Sequence, residues 1–589
     1  MGTLVLASVH AAAAVAGTLA SRAVPREHES VPSSSRSLRA SAPEPADVAA
    51  ALGEMASAIG GGAVLDAEAA LEFRDPYDPF DDSRFPGGVV QPATVEELQA
   101  VVRIAARRGV PIWATSQGRN NGYGGSAPVV GGSIVVSLRR MDRILEVNEE
   151  LGYAVVEPGV RFFDLVEELR RRGGNWWTSS PSLGWGSVVG NTLDHGFGYA
   201  EYGEHAGHVP DLEVVLPDGE LLRTGMWASS TAGAHIHPRG FGPNVTSLFM
   251  QSGLGIVTKL ARPLMRRPES YAPITIKAFE PGDLVPLIDA LRTLRLEGTI
   301  RNIPNVTTAL GAAAMRRPRR DWYDGGVPLP DEVYRGIMAE LDYGWWNATA
   351  ALYGPARTVD AEAARVREVI ERAVPGAAIS IKQVPGAELD AALEDGRLAS
   401  HRERIMAGRP SLVMLETAKW WGEEGGHLEI SPIAAATGRD AARIGDILRP
   451  IVEAEGFDFW PSIYIVGRSL MQLCVLNYDN ADPSRARAAY RVAEAAYPAL
   501  AREGYLPYRG NIRLMDLMQD QYDWGGHAYR RFVEGLKDAL DPAGTLAPGK
   551  QGIWSARYRS DPAGRGLAAG DISEPAGPSP RFTHRKDDE

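Results

Sequence analysis

The chain has 589 residues, enough for two or more cores at roughly 100 to 200 residues per domain. With 44% hydrophobic and 23% charged residues it has the composition of an ordinary globular protein, and a formal net charge of −12 argues against a nucleic-acid partner, because that binding needs clustered Lys and Arg. Cys474 is the only cysteine, which excludes disulfide frameworks, Cys-based zinc sites and thioether-linked haem within the chain.

Residues 3–20 are apolar and Ala-rich, but no Lys or Arg precedes them as in a secretory signal. With the Ser-, Pro-, Arg- and Glu-rich stretch over 21–45 they read as a disordered leader (1–45) of a cytoplasmic protein with no membrane partner. The spacing then predicts a strand over 89–91. Thr94-Val-Glu-Glu97 is a capping box before Leu98, Val101, Val102 and Ala105 at helical spacing, and Arg107, Arg108 and Gly109 close that helix. A buried strand over 110–115 leads into a Gly- and Asn-rich loop over 116–125. Strands over 133–138 and 153–157 follow, then an amphipathic helix over 162–172 that stops at Gly173. A Pro-Asp-Gly turn at 217–219 joins a hairpin of 214–216 and 221–224, and 255–258 is a further strand. Beyond about residue 270 helices over 283–294 and 360–373 alternate with strands over 411–416 and 427–431. After Trp554 the chain is polar and punctuated by proline, so 556–589 reads as a disordered tail. The fold class is α+β: a mixed domain with a glycine loop at a strand end, where cofactors usually sit, and a second α+β domain.

The loop Ser116-Gln-Gly-Arg-Asn-Asn-Gly-Tyr-Gly-Gly125 can turn successive backbone amides toward one anion without a lysine, and a pyrophosphate would suit it. Two other stretches imitate phosphate loops. Gly184-Trp-Gly186-Ser-Val-Val-Gly190 has one residue too many for a dinucleotide fingerprint. In Gly544-Thr-Leu-Ala-Pro-Gly-Lys550, Gln551 replaces the magnesium-binding hydroxyl and Pro548 removes an amide. His205-Ala-Gly-His208 and His235-Ile-His237 lack a third ligand at diagnostic spacing, so no metal is expected. The pairs Trp176-Trp177, Trp345-Trp346 and Trp420-Trp421 suit core or cap packing, or stacking on a sugar.

Several separated stretches resemble the vanillyl-alcohol oxidase and p-cresol methylhydroxylase family of flavoproteins: Gln91-Pro-Ala-Thr-Val-Glu-Glu97, 116–128, Val156-Glu-Pro-Gly159, Gly186-Ser-Val-Val-Gly-Asn-Thr192, Gly198-Tyr-Ala-Glu-Tyr-Gly-Glu-His205 and 541–550. They lie within 73–265 and 500–555, and the first half is similar to eugenol oxidase-like 4-phenol oxidases. The resemblance implies an FAD-binding domain over 46–268, a substrate cap over 269–500, and a segment over 501–555 that completes the FAD domain and active site. It implies FAD contacts from Ser116, Gly118, Arg119, Asn120, Asn121, Gly122, Ser182, Leu183, Ser187, Asn191, Gly255, Ile256, Val257, His427 and Arg509.

In that family a histidine in a Gly-Ala-His stretch before Ser-Pro bonds covalently to the flavin, and Gly425-Gly-His427 before Ser431-Pro432 matches, so His427 is the expected attachment point. A second, activating histidine has no counterpart, since no histidine occurs between residues 29 and 194. The family's phenolate-binding residues match Tyr123, Tyr508 and Arg509. Holding a phenol of pKa ~10 as phenolate at pH 7 costs roughly 4 kcal/mol, which one charge-assisted arginine bond and two tyrosine donors can supply. Ser182 stands where the family's oxidases often carry an aspartate with a base role near the flavin; a serine there is more similar to p-cresol methylhydroxylase. The resemblance therefore implies an enzyme, a homo-oligomer, that takes a hydride from 4-hydroxybenzyl alcohols or 4-alkylphenols. O2 is the preferred acceptor and a cytochrome c subunit the alternative. A sugar or polyol oxidase on the same fold and a non-catalytic carbohydrate-binding protein are the competing readings.

Overall fold

The computed structural model describes residues 42–78, 82–229 and 232–559. The leader's apolar stretch and most of the expected tail lie outside them. Among the described residues, no helix is long and apolar enough to cross a membrane.

The first sheet runs in the order Val64–Leu65, Gly88–Val90, Ile134–Ser137, Ile112–Thr115, and the last three strands are parallel. Val89 and Val90 fall where the 89–91 strand was expected. Helix Val95–Arg108 starts on the predicted capping box: Thr94 Oγ1 accepts from the Glu97 amide at 3.2 Å and Glu97 Oε2 from the Ala93 amide at 2.7 Å. Gly109, in the left-handed region at φ 64°, ends it. Leu98, Val101, Val102 and Ala105 pack with Val48, Ala51 and Met55 of helix Pro45–Ile59 over this sheet. The Gly544 to Lys550 stretch, which resembles a phosphate loop, pairs with the sheet instead: Ile112 donates to the Thr545 carbonyl and Ala547 to the Ile112 carbonyl, both at 2.8 Å.

A second, antiparallel sheet has the order Ile144–Asn148, Tyr153–Val156, Ile256–Pro263, Leu212–Val215, Leu221–Arg223, and includes the expected hairpin. The third and largest sheet is built on Ser270–Ala278 and Trp346–Gly354, paired antiparallel along their whole length. Side chains alternate across a strand, so Ile274, Ile276 and Ala348 face one way, into a core with Leu287, Val366, Ile444 and Val492 from four covering helices. The polar residues between them face the other way.

Two expectations are corrected. Residues 411–416 are no strand: Ser411 makes a single bridge to Leu183, and Val413–Trp420 is a 3-10 helix that buries Ala418 and Trp420. A short apolar run fits either periodicity, and burial of Trp420 decides for the helix here. The tail begins later than residue 556, because Ala556–Arg559 is helical and buries Tyr558 against Trp554.

Candidate functional site

The glycine loop leaves strand Ile112–Thr115 and enters a cavity of about 900 Å³ between the sheets. Tyr123, Tyr508, Ser182 and every residue expected to touch the cofactor, from Ser116 and Gly118 to His427 and Arg509, line that one cavity. Its volume lies within the range of cofactor and substrate pockets. Gly118 holds φ 66°, and a Cβ there would overlap Ser126 Oγ. A Cβ on Gly122 would stand 2.6 Å from the His427 ring, and one on Gly190 2.3 Å from Ser116 Oγ. The loop therefore closes directly onto the histidine.

His427 lies on strand Gly425–Ile430, whose even positions Leu428 and Ile430 enter the core and whose odd positions His427 and Glu429 face the cavity. Burial holds the imidazole pKa below its usual value, against the opposing charge of Glu429, so the ring is neutral at pH 7. Its Nε2 is 3.6 Å from Glu429 Oε1, and the Tyr77 ring packs on it at 4.9 Å between centroids.

The Ser-Pro pair has a positional reason. Ser431 accepts the Tyr508 amide at 3.2 Å on its carbonyl and donates its hydroxyl to the Arg509 carbonyl at 2.9 Å, while Pro432 pairs with Pro507. Gln251 donates to the Tyr508 carbonyl at 2.8 Å. Tyr508 and Arg509 are thus fixed beside the strand that carries His427. The Arg509 guanidinium lies 4.1 Å from the Tyr123 ring centroid and 5.6 Å from that of Tyr508. It donates to the Asp194 carbonyl and Asn120 Oδ1 at 3.4 and 3.3 Å, and its Nε is buried without a partner. Burial opposes the Arg509 charge, yet Tyr508 and Tyr123 keep its pKa above the ordinary value. The Tyr123 pKa is pushed well up by burial, then by Glu429. Its hydroxyl donates to Glu429 Oε2.

Glu429 and Gln251 line the cavity and were not singled out from the sequence. Glu429 could have been found, because it sits two residues after His427 in a strand and so on the same face. Of two other carboxylates that could serve near the flavin, Asp194 lines the cavity and Glu204 does not. His205 Nδ1 is bonded to Asn191 Oδ1 at 2.6 Å and His235 Nδ1 to Asp211 Oδ1 at 2.9 Å. None of the six paired tryptophans lines the cavity; Trp177, Trp346 and Trp420 are buried.

The residues present fit FAD: a cradle from which side chains are excluded, an anion-binding loop, a neutral histidine and a cationic arginine. Comparison with known proteins agrees. The family model for an FAD binding domain matches residues 86–225. The 4-cresol dehydrogenase [hydroxylating] flavoprotein subunit of Pseudomonas putida is 31% identical over 80% of this chain and 88% of its own length. The 1'-carboxy-chondrochloren decarboxylase of Chondromyces crocatus is 30% identical over 78% and 90%. Among solved structures, 4-ethylphenol oxidase from Gulosibacter chungangensis, in an isoeugenol complex, superposes with a TM-score of 0.83 at 34% identity, covering 89% of this chain and all of that one. A chitooligosaccharide oxidase, at 15% identity and a TM-score of 0.55, shares the fold alone. The chain belongs to the p-cresol methylhydroxylase and vanillyl-alcohol oxidase family of FAD-dependent oxidoreductases.

Proposed function

We propose that the chain oxidises para-substituted phenols, 4-hydroxybenzyl alcohols or 4-alkylphenols, with FAD bonded covalently to His427 and electrons passing to O2. The observation that carries this reading is the constellation of Tyr123, Tyr508 and Arg509, in which a buried guanidinium with an unpartnered Nε faces two phenol side chains. Glu429 is engaged with the Tyr123 hydroxyl while Arg509 Nε is left without an acceptor, and a substrate phenolate supplies one. The relatives support the substrate class: two of them carry 4-cresol and 4-ethylphenol in their names.

Tyr123 donates its hydroxyl proton to Glu429, so its oxygen is free to accept from the phenol. The substrate proton moves to Tyr123 Oη as Tyr123 passes its own to Glu429, and Arg509 holds the phenolate that remains. When bound, FAD supplies the acceptor for the hydride lost from the benzylic carbon of the para substituent, a loss that turns the phenolate into a quinone methide. The neutral imidazole of His427, held between Gly122 and Tyr77, is the nucleophile for flavin attachment, and Glu429, 3.6 Å from its Nε2, would serve as the base that a second histidine supplies in other members. Ser182 cannot accept a proton from water at neutral pH, so water addition to the quinone methide relies on another group. Residues 46–268 with 501–555 would hold the cofactor, supported by the pairing of 545–547 with Ile112, and 269–500 would form the cap.

A dehydrogenase passing electrons to a cytochrome subunit is the second reading, favoured by Ser182 and by the flavoprotein subunit among the relatives. The test of the main reading is methylation of the phenol oxygen. The methyl ether of a good substrate should leave the flavin oxidised under anaerobic conditions, whereas equally fast reduction by phenol and ether would rule out phenolate binding.

A further inference from the structure

Away from Tyr123, Tyr508 and Arg509 the same cavity holds a second set of two tyrosines and an arginine. Tyr199 and Tyr464 line the cavity with their hydroxyl oxygens 3.1 Å apart, and the Arg402 guanidinium lies 5.1 Å from the Tyr199 ring centroid. Both tyrosines are buried, at 6% and 4% exposure, and Arg402 Nη1 is buried with no hydrogen-bond partner. Burial works against the Arg402 charge, and the two tyrosines, not carboxylates, keep it protonated. A buried cation without an acid is costly, so packing alone gives this arrangement no reason to exist. The first set shows the same design: an arginine against phenol rings, with one nitrogen unsatisfied.

The sheet beside it gives the cavity a polar wall. Thr349, Asn305 and Tyr464 are cross-strand neighbours in one row, and Asn347, Thr307 and Ser462 in the next, all on the cavity face. Asn305 is 1% exposed, spends its amide protons on Ser462 and the Ile463 carbonyl, and leaves Oδ1 without a partner. Asn347, Thr307 and Ser462 bond their neighbours, so Asn305 Oδ1 is the buried atom of these rows that an apolar para substituent would leave unsatisfied, at a cost. A substituent that carries a donor, such as a second phenol hydroxyl, would satisfy it.

We infer that Tyr199, Tyr464 and Arg402 form a second subsite for an acidic oxygen, so that the substrate is a phenol whose para substituent ends in a carboxylate or a second phenol. This rests on the phenolate reading of the first set and extends it from the ring to the far end of the substrate. Tyr508 joins the two sets, since it packs against the cluster that contains Tyr199 and Tyr464.

Three phenols that lack a saturated benzylic carbon serve as binding probes: 4-vinylphenol, trans-4-hydroxycinnamate with one carboxylate added, and 4,4'-dihydroxystilbene with a second phenol. Calorimetric titration of the flavin-loaded protein gives a Kd for each. Wild type should bind the carboxylate or the bisphenol roughly 10- to 100-fold more tightly than 4-vinylphenol, and whichever gains identifies the source of the oxygen. Arg402→Gln should abolish that preference and Arg402→Lys should keep part of it for the carboxylate. Each variant is scored by the ratio of Kd values, so a general loss of folding cannot imitate the result. Equal affinity for all three probes in wild type, or a preference that survives Arg402→Gln, overturns the inference. Failure of the phenolate reading is separate: it would appear as 4-methoxystyrene binding as tightly as 4-vinylphenol.

Discussion

His427 and Glu429 leave the same face of one strand because its side chains alternate, which puts Glu429 Oε1 3.6 Å from His427 Nε2. If His427 carries the flavin, acid-precipitated wild type stays yellow and His427→Ala yields a colourless pellet with the flavin in the supernatant; absorbance of the two fractions decides. Glu429→Gln removes the proton acceptor behind Tyr123, so anaerobic flavin reduction by a phenol at pH 7 should slow by about 100-fold, as for loss of a general base. Stopped-flow rates that do not move would take Glu429 out of the proton path. Asp75 is a different case. It is 6% exposed, accepts the Tyr77 amide at 2.9 Å on Oδ1 and has no partner on Oδ2; burial, then the nearby Asp78, push its pKa up to about 7. The folded state thus binds this proton more tightly than the unfolded chain does at its ordinary ~3.9. The residue costs nothing below pH 4, costs more as pH rises, and reaches its full penalty of roughly 4 kcal/mol above pH 7. Asp75→Asn should therefore raise the thermal unfolding midpoint at pH 8 and lose that advantage by pH 4.

At the level of elements, those with strong local signals were legible before the structure: the capping box at Thr94, the Pro-Asp-Gly hairpin and the strand of His427 all formed where their residues placed them. The run over 411–416 was not, because four apolar residues carry no period that separates a strand from a helix. Pairing between distant segments was also invisible. Nothing in the spacing of 541–550 says that it caps the edge of Ile112–Thr115, and Glu429 acquires its meaning only from Tyr123, 306 residues earlier. The helix Trp524–Leu540 prepares that edge pairing. Lys537, 1% exposed, forms an ion pair with Asp541 at 2.8 Å and donates to the Gly253 carbonyl at 2.7 Å, while Asp541 accepts from the amides of Thr545 and Leu546 at 3.1 and 2.9 Å. Lys537→Met strands a buried carboxylate at a cost of about 3 to 5 kcal/mol. Its thermal midpoint should fall, and limited proteolysis should release the C-terminal segment first. A midpoint equal to wild type would mean that the ion pair contributes no net stability.

Across the whole molecule, one cavity draws its walls from all three of the sheets described above, so its parts meet only when distant stretches of chain have come together. Arg509 reaches Asn120 across 389 residues, and Asn511 reaches the Gly122 carbonyl across the same separation. That arrangement has a consequence for biosynthesis. A ribosome adding about 5 to 20 residues per second delivers the glycine loop early, yet Tyr508, Arg509 and the strand partner of Ile112 emerge only at the end of translation. A nascent chain stalled between residues 427 and 500 therefore carries the loop and the histidine but neither the arginine nor the edge that steadies them. If the residues proposed to hold the cofactor act together, its capture waits until residue 547 has been made, and free FAD acts on chains that have passed that point.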